Sequence, residues 1–276
     1  MRIIDTHVHV LDNYTPVDPK AERGENWFEG KCARLLQHMD ECEVEKAVLV
    51  PVVADYSPHN NEECAQLARQ YPNRLVTLID VDLKGADAAQ EIARAREQFN
   101  AVGISYYPPD EDLSWMAEAA CDPLWAAFRK YDQVCNLQIR PPNYPVLLKL
   151  ARTYPDIRFV SNHLGLPAHV FDPDEPTYGG LLEAASLPNV FVKASGFYAA
   201  AATSWDMRCP RILDFIARLL EGLGIDRVLW GSDWPPAALH LTYRQNLELV
   251  RSFVDGLDDA GRALVLGENA AHVYGI

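Results

Sequence analysis

The fold of this chain is decided by one stretch near its start, IIDTHVHV at residues 3–10. Apolar residues flank an Asp-x-His-x-His core, which predicts a buried strand. Side chains alternate along a strand, so Asp5, His7 and His9 are expected on one side, with neighbouring members of the set about 6–7 Å apart. Two imidazoles at that spacing can converge on one ion or water, whereas the alternative is two ordinary histidines on a half-exposed edge strand. A buried pair needs polar partners.

Composition and charge exclude several classes of protein. The chain has 276 residues, of which 49% are hydrophobic, so it can bury a large core as one α/β barrel or as two smaller domains. With 25 basic and 39 acidic residues its net charge is −14, which argues against nucleic acid and anionic membrane surfaces as partners. Local arginines can still bind an anionic small molecule.

The cysteines and the apolar runs bear on the compartment. Six cysteines form no Cys-x-x-Cys pair, which is typical of free, buried thiols in a reducing compartment. No basic and apolar leader precedes the first strand, and no run reaches the ~18–20 apolar residues of a membrane span. The sequence therefore predicts a cytoplasmic protein.

Short Val-, Ile- and Leu-rich runs alternate with helical patterns along the whole chain. Most are apolar on both faces, as parallel strands covered by helices should be. We predict a single (β/α)8 barrel over residues 1–276, with strands at 2–9, 46–53, 74–81, 101–106, 133–139, 157–162, 189–195 and 226–232. A doubly wound open sheet is the alternative, but no Gly-x-Gly-x-x-Gly follows any strand.

Histidines and a carboxylate occur where three of these strands end. His7 and His9 lie on the first strand, His163 follows the sixth and Asp233 follows the eighth. The carboxyl ends of barrel strands share one face, where such enzymes carry their chemistry. Two imidazoles and a carboxylate form a plausible zinc or manganese set, predicted here as His7, His9 and Asp233. A cluster that only stabilises the barrel by hydrogen bonds is the alternative.

Four further residues are predicted to contact a small-molecule substrate. Arg140 follows the fifth strand and can bind a carboxylate in bidentate fashion or form a salt bridge at the rim. Lys193 shares strand parity with Ser195 and should reach the barrel interior. Tyr106 and Trp27 lie on or near long loops and can form the walls of a pocket, although core packing is the alternative for each.

Three motifs together resemble the amidohydrolase superfamily and its amidohydrolase-related branch. They are DTHVH (5–9), NHLG (162–165) and GSDWP (231–235), in this order on strands one, six and eight. The branch includes lactonases of pyrone dicarboxylate, sulfomuconolactone and sugar lactones, and decarboxylases. The resemblance implies that His7 and His9 hold a metal, that Asp233 binds it and takes a proton from water, and that His163 polarises the substrate.

The chain departs from the metal-dependent pattern in two places. The fifth strand ends NLQIR (136–140) without histidine, and the fourth ends GISYY (103–107) without lysine. The resemblance to lactonases includes members that work without metal, so one divalent ion or none is expected. We expect a hydrolase that opens a lactone of a small organic or sugar acid. The alternatives are a metal-dependent non-oxidative decarboxylase and a non-catalytic barrel that binds a small acid.

Overall fold

Eight parallel strands form one barrel. The computed structural model describes residues 1–13, 29–53, 57–108, 112–167, 172–200 and 208–276. Each predicted strand is present, so the expected (β/α)8 architecture is confirmed. In chain order the strands are β1 (Ile4–Val8), β2 (Lys46–Leu49), β3 (Leu75–Asp80), β4 (Gly103–Tyr106), β5 (Val134–Leu137), β6 (Phe159–Ser161), β7 (Val190–Ala194) and β8 (Val228–Trp230).

Neighbouring strands in the barrel follow the order of the chain, and each pairs in parallel with the next. The ring closes between β8 and β1 through a bridge that pairs Val8 with Trp234. The backbone N–H of Asp233 donates to the His7 carbonyl at 2.8 Å, and that of His9 donates to the Trp234 carbonyl at 2.8 Å. Two of the predicted site segments are thus held together by main-chain hydrogen bonds.

Helices cover the outside of the barrel. They are α1 (Cys32–Glu41), α2 (Asn60–Gln70), α3 (Ala88–Glu97), α4 (Asp122–Lys130), α5 (Tyr144–Thr153), α6 (Pro176–Leu182), α7 (Pro210–Leu223), α8 (Tyr243–Phe253), α9 (Asp259–Ala263) and α10 (Asn269–Tyr274). In the described ranges, no helix is both long enough and apolar enough to cross a membrane.

Helix α7 shows how the sequence sets this outer layer. Pro210 begins it, because a proline at the first helical position loses no helical hydrogen bond, and Gly224 ends it at a φ of 98°. Its buried side chains recur every three or four residues and form one apolar stripe: Ile212, Phe215, Ile216, Leu219 and Leu223. Burying each large apolar side chain contributes about 1.5–3 kcal/mol relative to leaving it exposed.

Alternation along the strands separates two apolar layers. Val48 and Val50 belong to a small inner cluster, whereas Ala47 and Leu49 belong to the large cluster shared with the helices. Most strands contribute a residue to the inner cluster, which also includes Ala270, Val273 and Tyr274 of α10. Arg158, just before β6, donates to the Val273 carbonyl, so α10 covers the amino ends of the strands. The carboxyl ends are left for the site.

The alternation expected for β1 is interrupted. Its pairing with β2 is irregular between Asp5 and Val8, and Ile4 lies in the inner cluster while Val8 lies in the outer one. Asp5 therefore does not share a face with the histidines. It lies near Tyr243 of α8, where burial and then the charge of Asp5 raise the pKa of the Tyr243 hydroxyl. Its carboxylate instead accepts from the backbone N–H of Ser232 at 2.8 Å and of His7 at 3.1 Å.

All six cysteines are free thiols, and five of them are buried. Burial raises the pKa of each buried thiol for which a shift is resolved, as in Cys135 within β5. These side chains act as small apolar groups of the core.

Candidate active site

Three histidines and one aspartate meet at the carboxyl end of the barrel. His7, His9, His163 and Asp233 are each at most 4% exposed. The rings of His7 and His9 lie 4.9 Å apart, and those of His7 and His163 lie 4.6 Å apart, between centroids. The four side chains expected to form one site from the sequence are therefore brought together.

Asp233 lies at the centre of this group. Its Oδ1 is 3.2 Å from His9 Nε2 and 3.5 Å from His7 Nε2, and its Oδ2 is 4.0 Å from His163 Nδ1. Burial opposes ionisation, but the proximity of His163 and the hydrogen bond with His9 outweigh it and hold the pKa of Asp233 below its ordinary value. Oδ2 has no hydrogen-bond partner within the described ranges. The carboxylate is thus charged and keeps one oxygen available.

His9 is oriented by the backbone. Its Nδ1 is 2.7 Å from the Val50 carbonyl, which can only accept, so Nδ1 carries a proton. Its Nε2 then faces Asp233, which as a carboxylate can also only accept. A proton on Nε2 or a cation between the two groups satisfies this contact, and a carbonyl on the far nitrogen is the usual arrangement of a metal-ligating histidine.

His7 has polar groups at both ring nitrogens. Its Nδ1 is 3.3 Å from Lys193 Nζ, and its Nε2 is 3.4 Å from the Tyr107 hydroxyl. Burial, reinforced by the charge of Lys193, lowers the pKa of His7 well below its ordinary value. His7 is therefore a neutral imidazole at neutral pH.

His163 sits on a strained turn just after β6. It has a φ of 53°, and Leu164 and Leu166 also have positive φ values, of 58° and 48°. Its Nδ1 lies 3.0 Å from Ser195 Oγ, and its ring lies on the backbone of Gly196. Burial lowers the pKa of His163 to about 4, although Asp233 partly opposes this, so the ring is neutral at pH 7.

The structure also locates the residues predicted to bind substrate. Arg140 is exposed at the rim, directly before the short helical turn Pro141–Asn143. Lys193 is fully buried beside His7. Tyr106 points outward, where its ring packs edge-on against Trp115 at 6.4 Å. Trp27 lies outside the described residues.

Three site residues escaped the sequence reasoning. The hydroxyl of Tyr107, rather than that of Tyr106, reaches His7. Tyr107 directly follows β4 and lies an even number of positions after Gly103, so the two residues share a face, and this spacing would have indicated its direction. Ser195 supports His163, as its parity with Lys193 would have suggested. Tyr198 lies in the short helical turn Phe197–Ala199 after β7; its ring centroid is 6.5 Å from that of His163, and Tyr198 helps to lower the pKa of the Asp233 carboxyl.

The donor set fits a divalent metal ion. His7, His163 and Asp233 each offer one ligand atom, and the three atoms lie within 4.8 Å of one another. Two imidazoles and a carboxylate are a zinc ligand set, and the unpartnered Oδ2 of Asp233 is a free ligand atom. The sequence predicted His9 rather than His163 in this set, and the choice between the two histidines stays a prediction. On β4 and β5 the paired residues Ser105 and Asn136 hydrogen-bond each other at 3.3 Å.

A barrel with this cluster at its carboxyl face defines a class of hydrolytic enzymes, and comparison with known proteins gives the family. The chain belongs to the amidohydrolase family, whose model, described as Amidohydrolase, matches residues 4–276. An L-fucono-1,5-lactonase of Burkholderia ambifaria is 32% identical over 203 residues, which are 71% of this chain and 69% of that protein.

Two solved structures match the whole fold. An amidohydrolase from Burkholderia multivorans with bound zinc superposes with a TM-score of 0.83 at 22% identity, covering 100% of both chains. A probable 2-pyrone-4,6-dicarboxylic acid hydrolase from Acinetobacter baumannii, with citric acid bound, gives 0.80 at 22% identity, again over 100% of both chains. At this level of identity both confirm the barrel rather than a substrate.

Proposed function

We propose that this protein opens a lactone of a small organic or sugar acid with an activated water molecule. The observation that carries the proposal is Asp233, a buried, ionised carboxylate with one free oxygen beside three histidines. A base of this kind can take a proton from water as that water attacks a carbonyl. The lactonase named among the relatives supports a cyclic ester as the group attacked.

The reaction begins with Asp233. Its free oxygen accepts a proton from water while the water oxygen bonds to the lactone carbonyl carbon. The ring C–O bond then breaks, and the departing alkoxide takes the proton back from Asp233, so that one water and one lactone give one hydroxy acid and the carboxylate is restored. His9, held by the Val50 carbonyl, and His7 keep the carboxylate in place and orient the water.

His163 polarises the carbonyl. The Ser195 hydroxyl can donate to its Nδ1, which places the ring proton on Nε2 as a donor for the carbonyl oxygen. A neutral imidazole can do this because it need not lose its proton. A divalent zinc or manganese ion held by His7, Asp233 and either His163 or His9 would supply Lewis-acid activation of the water when bound.

The rim provides substrate contacts. We propose that Arg140 binds a carboxylate or hydroxyl of the substrate at the mouth, and Trp27 remains a prediction for the wall of the pocket. Tyr106, whose ring packs outward against Trp115, is not part of that proposed wall. We further propose a cytoplasmic setting, because all six cysteines are free thiols.

The test is a panel of aldono-, fucono- and dicarboxylate lactones, assayed by acid release. We expect turnover that Asp233→Asn lowers about 10²–10⁴-fold, the range for loss of a general base. Asp255→Asn, at an exposed position, is the matched control and should retain activity. Release of carbon dioxide from aromatic or muconate-type acids, without lactone turnover, would establish the decarboxylase alternative. Tight binding of small acids without turnover would establish a binding barrel.

A further inference from the structure

Lys193 is a buried cation-forming side chain that the proposed reaction does not use. It lies on β7 and is fully buried, between Phe191 of the inner cluster and Ser195 on the same face of the strand. Burial lowers its pKa to about 7, although the charges of Asp5 and Asp233 act in the opposite direction. A buried amine costs free energy unless it has polar partners, so its contacts indicate its role.

Lys193 approaches the site from the closed end of the barrel. Its Nζ lies 5.9 Å from the centroid of the Tyr274 ring, on the helix that covers the amino ends of the strands. On its other side Nζ lies 3.3 Å from His7 Nδ1, its one hydrogen-bond partner among the described residues. His7 therefore separates Lys193 from Asp233, and a substrate entering by the mouth meets the histidine first.

The two histidines of the first strand are held by different kinds of group. A backbone carbonyl holds Nδ1 of His9, at 2.7 Å, whereas a side-chain amine holds Nδ1 of His7. The group at one ring nitrogen decides how the other nitrogen is presented. For His7 that other nitrogen faces Asp233 Oδ1 at 3.5 Å and the Tyr107 hydroxyl at 3.4 Å.

We propose that Lys193 is a positioning residue: its Nζ holds the His7 ring through Nδ1, so that Nε2 faces Asp233. Its Nζ stands beside Nδ1 of His7 as the Val50 carbonyl stands beside Nδ1 of His9, so that Nδ1 of His7 depends on a single side chain among the described residues. Only the expected effect of Lys193 on kcat rests on the proposed function. The orientation of His7 can be measured without any substrate.

The test compares Lys193→Met, which keeps the length and apolar stem but removes the amine, with Lys149→Met, an exposed lysine on α5, as the control. Imidazole ¹⁵N spectra of the metal-free proteins, with His7 assigned by a His7→Gln variant, report each ring. Among the eight histidines, we expect Lys193→Met to move chiefly the His7 signals and Lys149→Met to move none.

Kinetics supply the second readout. On a lactone that the wild type hydrolyses, Lys193→Met should lower kcat about 10–100-fold, the usual effect of removing a group that orients a functional histidine. KM should change less than about threefold, because the amine does not face the mouth. Lys193→Gln, whose carboxamide can still meet Nδ1, should recover part of the kcat and keep the His7 signals nearer to those of the wild type.

A fall in melting temperature with unchanged His7 signals would overturn the proposal and leave Lys193 a purely structural group. A rise in KM with unchanged kcat would also overturn it and indicate substrate contact. If Lys193→Met does not fold, the comparison of Lys193→Gln with wild type decides by the same spectra. If no lactone is turned over, the proposed function fails while the spectra still test the role of Lys193.

Discussion

Gly196→Ala should displace His163, the histidine that we propose polarises the substrate. Gly196 has a φ of 55°, and a Cβ built there would lie 2.4 Å from His163 Nδ1 and 2.6 Å from Cγ. Ordinary contacts begin at about 3.4 Å, so the ring must move by roughly 1 Å, a misplacement that can cost about 100-fold in rate. The left-handed backbone adds about 1–2 kcal/mol of destabilisation for a residue with a Cβ.

Gly256→Ala separates the two effects. Gly256 also has a positive φ, 79°, but an added Cβ would meet nothing within 4 Å. Both variants should lose melting temperature, whereas only Gly196→Ala should lose kcat, measured by acid release from a lactone that the wild type hydrolyses. If Gly196→Ala kept kcat within twofold of Gly256→Ala, the position of the His163 ring would not control the reaction.

Three other changes test the site and the core. Zinc or manganese added to metal-free protein should raise its melting temperature, because a free metal concentration of 100 times Kd stabilises the folded state by about 2.7 kcal/mol. Asp233→Ala should abolish this rise, and no rise in the wild type would contradict the metal site. His38→Phe should lessen the loss of stability in acid. Burial lowers the pKa of His38 in the folded protein from 6.5, so as the pH falls the unfolded chain binds the proton first. The folded state is therefore destabilised as the pH drops below about 6.5, and a phenylalanine removes this effect. Denaturant unfolding at pH 5 and pH 8 would check this, and the same difference in unfolding free energy between variant and wild type at both pH values would refute it. Leu219→Ala in α7 should cost about 2–5 kcal/mol in urea unfolding, against almost nothing for the exposed Leu239→Ala.

The strands and helices could be predicted because their signals are local. Val-, Ile- and Leu-rich runs between helical patterns give both the type and the order of the elements, and parallel strands in that order close into a barrel. The grouping of His7, His9, His163 and Asp233 followed from the same rule, since all four lie where strands end. The family assignment is confirmed by the match over residues 4–276.

The contacts within the site could not be predicted in the same way, because they depend on where the backbone leaves regular geometry. His163 and Asp233 both have positive φ values, 53° and 55°, which their sequence neighbours do not specify. The alternation of side chains along a strand predicted that Lys193 points into the barrel, but it could not show that His7 lies between Lys193 and the mouth. Tyr106 and Tyr107 differ by one position, and that difference decides which hydroxyl faces the core of the barrel.

The first strand shows what such a departure does for the site. Regular alternation would have put Asp5 beside His7 and His9, adding a second carboxylate to a cluster that already holds Asp233. Two buried carboxylates at contact distance repel each other, and one of them would have its pKa raised. The irregularity between Asp5 and Val8 turns Asp5 outward, where Ser232 and His7 donate their backbone N–H groups to it. Asp5 thereby ties β1 to the segment that carries Asp233, and among the described residues Asp233 remains the one carboxylate that the histidines face.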